Sequence, residues 1–225
     1  MATSNKLIFL WLLSFVLAGP MVHGQQPHPT VAVLSATEIN ALFTDSTRKE
    51  FKLNIPISQV YKYTDRSGAY LCVLMESNDS IGLTDGKTDT FSRNIKAVDL
   101  RIGGNTLTKV WELNDHILKD QGEYAIWFWK GYFSFEDYDG DGLVDPFLVY
   151  GTWGEYGYDD GRIKFIIYLK GKKYAMRHQS NSLDDGRSTE FDGGYDALPK
   201  KLKTEMNSKI ARIQKDDHGY FYPLP

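Results

Sequence analysis

Nine consecutive residues, 137–145, read Asp-Tyr-Asp-Gly-Asp-Gly-Leu-Val-Asp. Asp137, Asp139, Asp141 and Asp145 put four carboxylates within this short run, and they would repel one another unless a cation sat among them. The spacing lets the first three converge on one hard cation. Gly142 allows the sharp turn this needs, and the backbone carbonyl of Leu143 would add a further oxygen. Calcium takes about 6–8 oxygen ligands in flexible geometry, which such a loop supplies with one or two waters. Magnesium wants a tighter octahedron and is the second choice. Zinc is disfavoured because no His or Cys stands nearby. The bland alternative is an Asp/Gly-rich turn with no metal.

The loop departs from a helix–loop–helix EF-hand. Its tenth position is Pro146 and its twelfth is Leu148, where a bidentate Glu would be needed. The flanks, GYFSFE before and FLVY after, read as strands. The loop is more similar to the Asp-x-Asp-Gly-Asp-Gly-x-x-Asp loops between strands in FG-GAP-type repeats, with Asp145 in the closing acidic role. A single copy does not make a multi-blade propeller.

Other chemistry is sparse. The sequence has no GxSxG, HExxH, P-loop or GxGxxG pattern, and His28, His116, His178 and His218 are scattered. Asp159-Asp160 and Asp184-Asp185 could serve a glycosidase as two carboxylates, but each pair precedes a glycine and is equally explained as a turn. Aromatics are abundant at 14%. A strand period over 124–135 places Trp127, Trp129 and Phe133 on one face, and Tyr124, Ile126, Phe128 and Tyr132 on the other. These rings read first as core. Trp153, Tyr156 and Tyr158, in a Gly-rich stretch, are candidate ligand-binding residues whose rings could stack on sugars.

The elements that must hold these residues read as an α+β fold, mainly antiparallel β-sheet, with a short N-terminal helix and a C-terminal amphipathic helix. Ser35 with Glu38 three positions on forms a capping box for the first helix. Phe51, Leu53, Ile55 and Ile57 alternate with polar residues and predict a strand that Pro56 confines to an edge. Tyr70 to Met75 predicts a strand buried on both faces, and residues 78–92 a loop. Ile95–Ile102 and Leu107–Leu113 flank Gly103-Gly104-Asn105, a hairpin signal. Strands follow at 147–150, 163–169 and 174–178. Leu198, Leu202, Met206, Ile210 and Ile213 recur at three and four, which predicts a helix starting near Pro199 with a solvated basic face.

Lys6 followed by an apolar run from Leu7 to Gly19 reads as a secretory signal peptide, residues 1–24. The run is too short to be a comfortable membrane span, and Val22 and Gly24 suit cleavage after Gly24. Residues 25–34 then form a flexible leader, and 35–225 one β-rich domain. This predicts a periplasmic or secreted protein with no transmembrane anchor in the mature chain. Of 225 residues, 42% are hydrophobic and 24% charged, which fits a folded chain. The 26 Lys+Arg against 29 Asp+Glu leave a net charge of −3, with no basic excess for a nucleic acid. Cys72, the one cysteine, excludes an intrachain disulfide and reads as a buried hydrophobe.

The segments KVWELND (109–115), IWFW (126–129), DYDGDGLVDPFLVYGT (137–152), DDGR (159–162) and LP (198–199) together resemble a small family of exported bacterial proteins labelled as surface-polysaccharide-biosynthesis proteins. The resemblance spans roughly residues 60–200. It implies a cell-envelope role tied to surface polysaccharide and carries no reaction or catalytic residues. The expectation is an exported, non-catalytic binding or accessory factor with one structural calcium, whose partner is a polysaccharide or an envelope protein. Two rival readings stay open: a hydrolase acting on envelope glycans, and a periplasmic inhibitor or immunity-type protein.

Overall fold

The computed structural model describes residues 29–84 and 87–222. The signal-peptide reading, residues 1–24, lies outside them. In chain order the elements are β1 (Thr30–Val33), α1 (Ala36–Leu42), α2 (Asp45–Glu50), β2 (Ile57–Asp65), β3 (Gly68–Glu76), β4 (Ser80–Thr84), β5 (Lys87–Phe91), β6 (Asn94–Gly103) and β7 (Thr106–His116). Then follow β8 (Ala125–Phe128), β9 (Ser134–Glu136), β10 (Asp145–Trp153), β11 (Arg162–Leu169), β12 (Lys172–Gln179), β13 (Ser188–Asp192) and α3 (Lys200–Lys215). The fold is mainly antiparallel β-sheet with few helices.

Two sheets carry it. The first runs β1-β2-β3-β6-β7; the second runs β13-β12-β11-β10-β8, with β9 also paired to β10. Strands β4 and β5 form a separate hairpin. The pleat explains how four layers arise, because successive side chains on a strand point to opposite faces. On β3, Cys72 and Leu74 face the space between the sheets, while Leu71, Val73 and Met75 face the helices α1 and α2. On β10, Leu148 and Tyr150 face the same inter-sheet space, while Phe147 and Val149 face α3. The order is therefore helix pair, sheet, sheet, helix. Ion pairs cross the inter-sheet edge: Lys164 Nζ on β11 lies 2.7 Å from Asp115 Oδ2 on β7, and Arg162 grips Glu123.

Local chemistry sets the ends of the helices. Ser35 and Glu38 close a reciprocal capping box on α1. Helix α3 begins after Pro199, whose carbonyl accepts the Lys203 N–H at 3.0 Å. It buries Leu202, Met206, Ile210 and Ile213 against the second sheet. Its basic face is not wholly solvated: Lys209 is buried, paired with Glu205 at 2.7 Å and seated over the Phe147 ring.

Four further expectations are corrected. Phe51–Ile55 is not a strand, because Thr44 caps α2 up to Glu50 and a turn follows; Phe51 and Leu53 alternate only because both reach the helix-side core. Residues 78–92 are not a plain loop but hold the β4–β5 hairpin. The leader is not free throughout, since Thr30–Val33 pairs with β2. The strand period over the aromatic run fails after Trp129, where a 3-10 turn at Lys130–Tyr132 sends Tyr132 to the α3 side and Phe133 to the inter-sheet side. Among the described residues no helix is long and apolar enough to cross a membrane.

Candidate functional site

The acidic loop joins β9 to β10 and is wired from within. Asp137 Oδ1 accepts the N–H groups of Gly140 at 2.7 Å and Asp141 at 3.1 Å, and its Oδ2 accepts that of Gly142 at 2.7 Å. Asp139 Oδ1 accepts the Asp141 N–H at 3.1 Å. Gly142 has φ +80°, and a Cβ there would lie 2.7 Å from Cδ of Arg66. A side chain at this position would be strained twice, by its backbone and by its neighbour.

Two other elements brace the loop. The Val144 N–H donates to Asp65 Oδ2 at 3.1 Å, and the Arg66 N–H to the Gly142 carbonyl at 3.2 Å. Both come from the turn between β2 and β3, in the first sheet. From α3, Lys201 Nζ donates to the Asp137 carbonyl at 2.8 Å. The loop thus ties the two sheets and the terminal helix at one point.

Asp137, Asp139 and Asp145 converge, with one carboxylate oxygen from each lying within 4.8 Å of the others. This group could hold a metal ion. Asp145 is 1% exposed and accepts the Tyr138 N–H at 2.9 Å. Burial pushes its carboxyl up to about 7, and Asp139, Asp141 and Asp137 push it in the same direction. A cation would remove that cost. The donors are all oxygen, which suits a hard ion. One feature competes: Lys170 Nζ lies 2.9 Å from Asp139 Oδ2. Asp141 stands outside the convergent group, and its Oδ1 accepts the Leu143 N–H at 2.8 Å. Leu143 lines a small inter-sheet cavity of about 110 Å³ beside Asp145, Asp99 and Tyr168.

The aromatic candidates separate. Trp153 and Tyr158 line a cavity of about 580 Å³ together with Trp127 and Phe91. Tyr156 does not line it; its ring is 73% exposed, and its N–H donates to both Asp160 oxygens at 3.2 and 3.1 Å. Trp153 and Tyr158 are near-parallel with centroids 6.1 Å apart, and Trp127 stands edge-on to both at 6.3 and 5.8 Å. Gly157 has φ +76°, and a Cβ there would collide with the Trp153 indole, so glycine lets the ring lie on the loop. The polar wall contains Glu76, Asn78, Asp89, Ser92 and Lys130. Glu76 accepts the Phe128 N–H at 3.0 Å and pairs with Lys130 at 3.0 Å. Trp129, by contrast, is buried in the core under α3.

Several of the remaining candidates have structural partners. Asp160 closes the 156–160 turn, and Asp184 pairs with Arg187 at 2.6 Å. His178 sits between Thr189 and the Tyr220 carbonyl, and His218 meets the Tyr132 hydroxyl. Cys72 is fully buried, and burial pushes its thiol well above the ordinary range. Sequence reasoning missed Asp65 and Arg66 as braces and Glu76, Asn78, Asp89 and Lys130 as cleft residues. Only the Asp-Arg-Ser-Gly turn at 65–68 carried a local signal. No family model matches the chain, and no curated protein or solved structure matches it either.

Proposed function

We propose that the chain is an exported cell-envelope protein, periplasmic or secreted, with its leader cleaved after Gly24. It holds one structural calcium ion in the 137–145 loop and works as a non-catalytic binding or accessory factor linked to surface polysaccharide. The observation that carries this reading is the convergence of Asp137, Asp139 and Asp145 in a loop bonded to both sheets and to α3. An ion at that point relieves the buried Asp145 charge and braces the loop where the layers meet.

Calcium fits better than its rivals. Three carboxylates, the Leu143 carbonyl and water make an oxygen shell of irregular shape, which calcium accepts and magnesium resists. Zinc would lack its nitrogen and sulfur ligands. Export matches this choice, since millimolar calcium is common outside the cytoplasm. The link to polysaccharide rests on the resemblance of the segments between residues 109 and 199 and on the aromatic cleft.

Expression with the native leader in a Gram-negative host tests the export arm. The reading expects the chain in the periplasmic fraction with Gln25 as its first residue. A full-length chain confined to the cytoplasm would overturn it.

A further inference from the structure

The cleft beside Trp153 has an apolar wall and a polar wall of different kinds. Trp127, Trp153, Tyr158 and Phe91 form the first. Their centroids lie 5.8–6.3 Å apart, which is ring-on-ring packing. Rings this close leave no room between them for a quaternary ammonium, so they form a ledge rather than a cage around a cation. A ledge takes a flat, weakly polar face.

The opposite wall offers hydrogen bonds. The Asn78 N–H donates to Ser92 Oγ at 3.0 Å, and Ser92 Oγ donates to Asn78 Oδ1 at 3.2 Å. This uses the Asn78 carbonyl oxygen and leaves its amide nitrogen as a donor. Asn78 holds φ +48°, a left-handed conformation that Asn adopts more readily than other residues with a side chain. Asp89 is exposed and adds a carboxylate. A second cavity of about 420 Å³ shares Phe91 and Trp153 with the first and is lined further by Ile81, Arg93, Tyr124 and Glu155. Trp153 therefore stands between two adjoining spaces.

Charge narrows the ligand. Lys130 offsets Glu76 at 3.0 Å. The second cavity adds Arg93 and Glu155, so with Glu76, Asp89 and Lys130 the two linings carry three acids against two bases. An anionic ligand would meet a lining of net negative charge.

We infer that this double cleft binds a neutral oligosaccharide, one pyranose laid with its C–H face on Trp153 and Tyr158 and its hydroxyls turned to Asn78, Asp89 and Ser92, the next ring continuing past Trp153. This deepens the polysaccharide reading above and rests on it. It makes the site a lectin-like one for uncharged glycan rather than for uronate or phosphorylated polymer.

The test titrates the purified protein with cellotriose, maltotriose, chitotriose and trigalacturonate, read by saturation-transfer NMR and tryptophan fluorescence. At least one neutral trisaccharide should bind and perturb the fluorescence. Trp153→Ala and Tyr158→Ala should each weaken it tenfold or more while thermal melts show a folded chain. Asp89→Lys, at an exposed position, should keep the fold and raise trigalacturonate affinity several-fold over wild type. Wild-type preference for trigalacturonate, or neutral binding unmoved by both ring variants, overturns the inference and leaves the polysaccharide link standing. Binding of none of the four overturns both.

Discussion

The Val144 N–H donates to Asp65 Oδ2 across 3.1 Å, joining the acidic loop of one sheet to a turn of the other from 79 residues away in sequence. The same Asp65 uses Oδ1 to accept the N–H of Ser67 at 2.7 Å and its hydroxyl at 2.6 Å. One carboxylate therefore shapes the β2–β3 turn and anchors the loop. Asp65→Ala leaves the Val144 N–H without its partner, and the expected loss is about 1–3 kcal/mol. Urea unfolding measures it, and the calcium response should weaken in the same variant.

Within the loop, Asp137→Ala orphans the N–H groups of Gly140 and Gly142 and removes a proposed ligand. Its melting temperature should become insensitive to calcium. Asp184→Ala, which breaks only an exposed pair with Arg187, should leave the calcium response at wild-type size. Equal loss in both would place the metal elsewhere.

Lys170 would compete with a metal for Asp139 Oδ2. Lys170→Met removes the competitor at an exposed position. Calcium affinity, followed by isothermal titration, should rise a few-fold. Unchanged affinity would mean that Asp139 is not a ligand.

Gly142→Ala tests the turn. An alanine at φ +80° costs on the order of 1–2 kcal/mol, before the displacement of Arg66 is counted. The variant should unfold at lower urea concentration, and Gly104→Ala, whose Cβ would meet nothing within 4 Å, should show the backbone cost alone.

Asp99 and His178 shift the pH dependence in opposite senses. Burial holds the Asp99 carboxyl up at about 7 from 3.8, against the pull of the Tyr63 hydroxyl. The native state then binds the proton more tightly than the unfolded one, so this group lowers stability as pH rises from about 4 to 7, by about 1.4 kcal/mol per pH unit. Its Oδ1 is buried without a hydrogen-bond partner. Asp99→Asn should therefore stabilise the protein at pH 8, with the gain fading toward pH 4.

His178 acts the other way, since burial pushes it down to about 4 from 6.5. Its Nε2–H donates to the Tyr220 carbonyl at 2.6 Å, so Nδ1 accepts from Thr189 at 2.8 Å. Protonation is favoured in the unfolded chain, and stability falls as pH drops from 6.5 to 4. Hydrogen-exchange protection at residues 218–222, measured relative to the intrinsic rate at each pH, should fall in that window, because this ring holds the C-terminal segment with Phe221 stacked on it at 4.0 Å.

What was legible in the sequence follows from the range of the interactions. The apolar run over 163–169 and the three-four spacing after Pro199 are local, and both elements stand where those patterns place them. The Asp-x-Asp spacing likewise announced the loop. The β4–β5 hairpin was not legible because its polar sequence offers no apolar alternation. Phe51 and Leu53 imitated a strand because two residues leaving a helix can both point at one core. The exchange of Tyr132 and Phe133 depends on a single 3-10 turn that shifts the period by one. The braces from Asp65, Arg66 and Lys201 and the polar wall of the cleft are long-range, and no spacing encodes them.

The central claim is that the loop holds calcium and that the ion braces the fold. The direct measurement is thermal unfolding of the protein in chelator and then in millimolar calcium or magnesium. At calcium about 100-fold above Kd, binding to the native state alone adds about 2.7 kcal/mol, or on the order of 5–10 °C for a chain of this size. The melting midpoint should show that rise with calcium, a much smaller one with magnesium, and neither in Asp137→Ala. A midpoint unmoved by calcium, with no metal retained on the purified protein, would contradict it.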